Sequence, residues 1–223
     1  MKGLDELINR QEPGWDSVQQ WLTNATNHVD VLVKDNNLAA QALIDLQVTT
    51  RSPLGAVVYE TGGMLIDGGW LRILGSGHPE LPRNPAVWTR ILSQRHALQA
   101  LLIADDVSGG FFALNGGGLG DDQGGIYYFA PDSLIWESLG VGYSGFLAWA
   151  FNGDLDTFYQ TVRWHGWREE ISSLSGNEVY SFFPFLWTEP TLPVTQRKRS
   201  RVSIEEHWTL SHELAQDLNQ QQI

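Results

Sequence analysis

The chain contains no cysteine, which excludes disulfides and thiolate metal sites outright. Basic residues are also scarce: 14 Lys and Arg stand against 26 Asp and Glu, a formal net charge of −12. Nucleic acids and anionic membrane surfaces both need a basic face, so the balance argues against either as a partner. It suits solubility, or a basic protein partner. No apolar run approaches the ~20 residues a membrane helix needs, and the opening MKGLDELINRQEPGW has no apolar signal-peptide core. A cytoplasmic protein is the economical reading. Catalytic signatures are missing too. There is no H-E-x-x-H, the six histidines show no zinc spacing, and Gly75-Ser-Gly-His lacks the first glycine of a nucleophile elbow because Leu74 stands there.

What is present describes a folded domain. With 223 residues, 42% of them hydrophobic and 18% charged, the chain has globular composition and can bury a sizeable core. Ten tryptophans are unusual, and most are expected in that core. Residues 1–14 read as a short helical lead-in closed by Pro13–Gly14. Trp15–Asn24 reads as a helix capped by Asp16 or Ser17, Val29–Val33 as a strand or helix, and Leu38–Leu46 as a helix. Ser52–Pro53 starts another helix. Met64–Ile66 and Trp70–Leu74 form a hairpin around Asp67–Gly68–Gly69. After a proline-rich loop, Gly75–Pro85, come a helix at Ala86–Ser93 and a strand at Ala97–Ala104. The stretch Gly109–Pro131 then reads as strand, glycine loop and strand, with at least one of Gly116–Gly118 at positive φ.

Ser133–Ser138 follows as a strand, Tyr143–Phe151 as an apolar helix, and Leu155–Arg163 as a helix capped by Asp154. The aromatic segment Trp164–Trp187 has room for one more strand pair. Pro190–Pro193 reads as a linker before the basic run Gln196–Arg201. A C-terminal helix over about 203–219 carries Ser203 as cap and Glu206 in the capping-box position. It should pack through Ile204, Trp208, Leu214 and Leu218. Helices and strands mix without strict alternation. The expected fold is therefore a single α+β domain over 1–223: a mainly antiparallel twisted sheet with helices to one side and the C-terminal helix.

The glycine loop is no phosphate loop. Asp121 and Gln123 occupy the positions that would complete G-x-G-x-x-G, and a strand follows where a helix N-terminus is needed. Adjacent carboxylates at Asp105–Asp106, Asp121–Asp122 and Glu169–Glu170 read as solvated charge, and His207 and His212 as surface histidines on different helix faces. The loop with most side-chain chemistry is Trp70–Arg83, which gathers Trp70, Arg72, His78, Glu80 and Arg83. Arginine beside aromatics is the mixture of recognition hot spots and carboxylate binding. Its structural alternative is Arg72 paired to a nearby acid such as Asp67. Across the sheet, Asn115, Asp121 and Asp122 of the glycine loop complete the candidate binding set. No residue is assigned to catalysis, metal or cofactor.

Several runs resemble a known family: Ser52-Pro-Leu-Gly, Tyr59-Glu-Thr-Gly-Gly, Ile66-Asp-Gly-Gly-Trp-Leu-Arg-Ile-Leu-Gly-Ser-Gly-His-Pro, Ala113-Leu-Asn-Gly-Gly-Gly and Ile126-Tyr-Tyr-Phe-Ala-Pro-Asp. They look like an uncharacterised bacterial family classed only as a domain of unknown function, matched from about Asp5 to Asn219. More remotely, the order helix, Gly-Gly, strand, Asn-Gly-Gly, strand, Tyr-Ser-x-Phe-Leu resembles the SUKH superfamily. These SMI-like proteins include bacterial immunity proteins against secreted nuclease toxins. That resemblance implies an α+β sheet and a binding role without catalysis, with a basic toxin as the partner. Three functions stay open: a non-catalytic protein-binding protein, a small-molecule hydrolase with its site where the Trp70–Arg83 and Asn115–Asp122 loops face each other, or a protein with only a structural, interaction-scaffold role.

Overall fold

Serine before proline starts a helix here as the sequence predicts. In the computed structural model, which describes residues 1–94, 98–188 and 192–221, Ser52 Oγ accepts from Gly55 N and Pro53 occupies the first helical turn. In chain order the helices are α1 (Leu4–Leu7), α2 (Gly14–Thr23), α3 (Asn36–Leu46), α4 (Pro53–Glu60), α5 (Pro85–Leu92), α6 (Tyr143–Asn152), α7 (Leu155–Phe158), α8 (Trp167–Ile171) and α9 (Ile204–Gln221). The strands are β1 (Val29–Leu32), β2 (Gly63–Ile66), β3 (Leu71–Leu74), β4 (Ala100–Asp106), β5 (Phe111–Asn115), β6 (Gly125–Phe129), β7 (Trp136–Gly142), β8 (Glu178–Phe183) and β9 (Lys198–Ser203). The fold is α+β, as expected. The expected strand start at Ala97, His96 and the Pro190 end of the linker lie outside the described residues.

Strands β1 to β7 form one antiparallel meander in sequence order, and β8 and β9 pair separately. Alternation along the strands feeds two cores. Phe112, Ile126, Tyr128 and Ile73 join residues of α4 and α6 on one face, while Phe111, Ala113, Phe129 and Leu74 meet Trp88 of α5 and Trp208 of α9 on the other. Helices therefore cover both faces, where packing to one side was expected: α5, from the β3–β4 connection, and α9, which follows the β8–β9 ribbon, both bury apolar side chains on the second face. Helix α9 packs through Ile204, Trp208, Leu214 and Leu218, as its periodicity predicts. Five tryptophans (Trp70, Trp88, Trp164, Trp167 and Trp208) are buried, so the aromatic wealth does sit largely inside.

Some local expectations shift. Helix α2 begins at Gly14 after Pro13, so Asp16 sits in its first turn instead of capping it. Strand β7 starts only at Trp136, because Leu134 adopts φ 55° in a turn closed by its N–H to the Ala130 carbonyl. Helix α7 stops at Phe158, well short of Arg163. The segment Trp164–Trp187 supplies α8 and β8 only; the partner strand β9 comes from the basic run.

The β5–β6 loop is organised by Asn115, whose Oδ1 accepts from Gly117 N (2.7 Å) and Leu119 N (3.1 Å). Its Nδ2 donates to the Gly120 and Asp122 carbonyls. Gly117 has φ 112°, the positive value expected within Gly116–Gly118. Gly117→Val should cost about 1–2 kcal/mol, since a β-branched residue resists that conformation. Thermal unfolding would check it, and an unchanged melting temperature would break the turn assignment.

Candidate functional site

Because the sheet is an antiparallel meander, the β3–β4 and β5–β6 connections leave from the same end. The Gly75–Arg83 part of the first expected loop and the Asn115–Asp122 loop therefore share that end, while Trp70 lies at the other end of β3. Of the candidate side chains, Trp70, Arg72, Arg83 and Asn115 are buried. Trp70 is fully buried, against Trp167 (4.8 Å between ring centres), Tyr159 (5.5 Å) and Trp164 (5.7 Å). The Arg163 guanidinium lies over three of these rings, 4.9 Å from Trp70, 5.2 Å from Tyr159 and 4.3 Å from Trp167. Asp67 and Asp156 hold its charge at 2.6 and 2.5 Å.

Arg72 and Arg83 converge on Asp105. The strand register places Arg72 opposite Asp105, and Arg72 Nε and Nη2 reach Asp105 Oδ1 at 2.6 and 2.5 Å. Arg83 Nη1 takes Asp105 Oδ2 at 2.5 Å. Other donors go to carbonyls: Arg72 Nη1 to Glu178 (2.8 Å) and Ser175 (3.4 Å), and Arg83 Nη2 to Gly176 (2.6 Å). Burial lowers the Arg72 guanidinium from its ordinary value, with Asp105 as the main opposing influence. The cluster pins the Gly75–Pro85 loop and the 175–178 turn to the sheet. It is a structural clamp, with both guanidinium groups committed to one buried carboxylate, and the acid is Asp105 where Asp67 was expected.

Asp105 and Asp106 correct the reading of adjacent carboxylates as solvated. Both are fully buried, and strand alternation turns them to opposite faces. Asp106 Oδ1 accepts from Ser108 N (2.9 Å), Ser108 Oγ (2.5 Å) and Gly110 N (3.1 Å), while Oδ2 accepts from Tyr128 OH (2.8 Å). Burial still raises its carboxyl, although those bonds oppose the shift. It ties off the β4–β5 turn. Glu170 is likewise engaged, at 2.5 Å from Arg199 Nη2, and Arg199 holds it below the usual carboxylate range.

The other candidates lie outside. His78 Nδ1 accepts from Glu80 N at 3.2 Å, and the Glu80 carboxylate is exposed 3.8 Å away. Asp121 and Asp122 are exposed on the β5–β6 loop. Asp122 accepts from Tyr127 OH and, at 3.1 Å, from Ser138 Oγ; the tyrosine bond chiefly holds its carboxyl low. A cavity of about 530 Å³ opens beside the first loop, lined by Gly68, Gly69, Arg72, Glu80, Ser173 and Ser175. Asn115 and Asp122 form their own local cluster. Among the described residues no three His, Asp or Glu side chains are placed to share a metal ion.

Both C-terminal histidines depart from the surface reading. His212 stacks on Trp208 (3.8 Å) and Phe129 (4.5 Å). His207 packs against Phe111 and Gly109, so close that a Cβ on Gly109 would come within 2.0 Å of its Nε2. Sequence reasoning missed Asp105 and Arg163 as well. The one signal for Asp105 is a carboxylate ending the apolar run Leu101–Ala104 at an inward-facing strand position.

The chain matches the family described as "Protein of unknown function DUF2625" over residues 4–207, and it belongs to that family. It is 50% identical over 220 residues to the uncharacterized protein YbfG of Escherichia coli K12, spanning 99% of this chain and 100% of that one. An uncharacterized protein of Haemophilus influenzae Rd is 43% identical over 211 residues, 93% and 92% of the two chains. No solved structure gives a significant match. Among the described residues no helix is long and apolar enough to cross a membrane.

Proposed function

We propose that this chain is a cytoplasmic, non-catalytic protein-binding protein whose acidic surface holds a basic protein partner. The observation that carries the reading is how charge is distributed. Arg72, Arg83, Arg163 and Arg199 are committed to carboxylates of this chain. Glu80, Asp121, Glu205, Glu206 and Glu213 face solvent. A net charge of −12 is thus displayed largely as exposed carboxylate. A chain without cysteine needs no oxidising compartment. The remote SUKH resemblance makes a basic toxin the first partner to test. The hydrolase alternative has the cavity beside Arg72 and Glu80 in its favour. Against it stands the commitment of that buried guanidinium to Asp105 and to the Ser175 and Glu178 carbonyls.

Affinity capture from the native bacterium at low ionic strength should recover a basic protein in stoichiometric amount. Association with it should slow markedly as salt rises past roughly 0.1 M, where screening lengths fall to about 10 Å. Salt-independent association would remove the electrostatic argument. Turnover of a small substrate, lost in a folded Arg72→Ala or His78→Ala variant, would favour the hydrolase.

A further inference from the structure

Helices α5 and α9 run side by side on the second face of the sheet, and between them lies an open groove. It consists of two adjoining concavities of about 430 and 320 Å³ that share Ile91 and Glu205. Its apolar surface is exposed: Ile91 on one wall is 39% accessible and Leu210 on the other 41%. Among the described residues that line it, the exposed charges are acidic. Glu205, Glu206 and Glu213 line it, and the basic residue at its far end, Arg83, is already held by Asp105 and stacked on Trp88. The acids of the first α9 turn would also be explained by the helix dipole. That account does not reach Glu213 in mid-helix, nor the two exposed aliphatic side chains that line the same concavity.

We propose that the α5–α9 groove is the docking site for a basic amphipathic helix of a protein partner, with apolar side chains seated between Ile91 and Leu210 and Lys or Arg against Glu205, Glu206 and Glu213. This rests on the protein-binding reading above. Charge complementarity selects the occupant's sign. A helix is favoured over an extended strand because both walls are helices, whose backbone groups are paired internally. Strand addition needs a free sheet edge, whereas an amphipathic helix needs only an apolar groove. From Glu205 to Glu213 the wall spans about 12 Å at the helical rise of ~1.5 Å per residue, enough to face two turns of a partner.

The test titrates the isotope-labelled full chain with two synthetic helical peptides, one carrying Leu and Lys at amphipathic spacing and the other Leu and Glu. The Lys peptide should shift amide resonances of α5 and the first turns of α9, and the Glu peptide should not. Glu206→Lys with Glu213→Lys should weaken Lys-peptide binding about tenfold or more, and Leu210→Asp should do likewise. Charge reversal at Asp121 and Asp122 should leave it unchanged. If Leu210→Asp does not fold, the exposed double charge reversal still decides. Shifts spread evenly over other acidic surface, undiminished binding by the double variant, or a groove-dependent dimer in sedimentation would overturn the proposal. The two readings fail separately. If native-host capture recovers a basic partner equally with wild type and the double variant, the groove is wrong and the binding role stands. If wild type recovers none, the binding role itself falls.

Discussion

Replacing Asp105 by alanine should destabilise the protein by about 3–5 kcal/mol, the range for removing one partner of a buried ion pair. The reason is what it leaves behind. Arg72 and Arg83 are 3% and 6% exposed, and both spend donors on this one carboxylate. Without it two guanidinium groups remain buried side by side, each an uncompensated charge and each repelling the other. Typical domains hold only about 5–15 kcal/mol in all, so the variant would lie near the edge of folding. Asp105→Asn keeps the volume and one acceptor, and should recover only a small part. The sharper control is the combined change of Asp105→Leu, Arg72→Met and Arg83→Met. Removing all three charges for apolar volume should be much less harmful than removing Asp105 alone. Urea unfolding measures both, as a fall in midpoint at constant slope. A loss below about 1 kcal/mol for Asp105→Ala would mean that the cluster is hydrated and not the clamp inferred from its geometry.

The same cluster shows where sequence reasoning stops. Local signals were sufficient for local structure: Ser52–Pro53 for α4, the Asp67–Gly69 turn for the β2–β3 hairpin, and the apolar stripe that seats α9. Arg72 was legible as an arginine needing an acid, and Asp67 was the acid nearest in sequence. The partner is instead 33 residues away, chosen by the β3–β4 register, which no spacing within either segment encodes. Asp67 goes to Arg163, 96 residues on. The carboxylate pair Asp105–Asp106 misled for a related reason. Two adjacent acids read as one charged patch, but in a strand they point to opposite faces, and here both faces are cores. A surface acid such as Asp121 needed no such knowledge, because exposed charge requires no partner.

Acid should destabilise this protein through His207, by on the order of 3 kcal/mol between about pH 6.5 and pH 4. Its ring lies between Phe111 and the β4–β5 turn, with Nδ1 shut away from water and Ser211 Oγ 3.4 Å from Nε2. Among the described residues no carboxylate is recorded bonding to the ring. Burial therefore dominates and pushes its pKa down to about 4, with only a bond to the Gly109 backbone opposing. The sign follows from proton counting. Below pH 6.5 the unfolded chain takes up a proton that the folded chain refuses until about pH 4, so stability falls as pH falls through that window. Buried Asp106 acts oppositely at the acid end, since its raised carboxyl binds its proton more readily when folded. His207→Gln, which cannot titrate, should flatten the curve between pH 6.5 and 4 while lowering stability at neutral pH through lost ring packing. Urea unfolding at several pH values separates the two effects. An unchanged slope in the variant would place the acid sensitivity elsewhere. A His207 resonance titrating near 6.5 would show that the ring meets solvent despite Gly109 against its Nε2 edge.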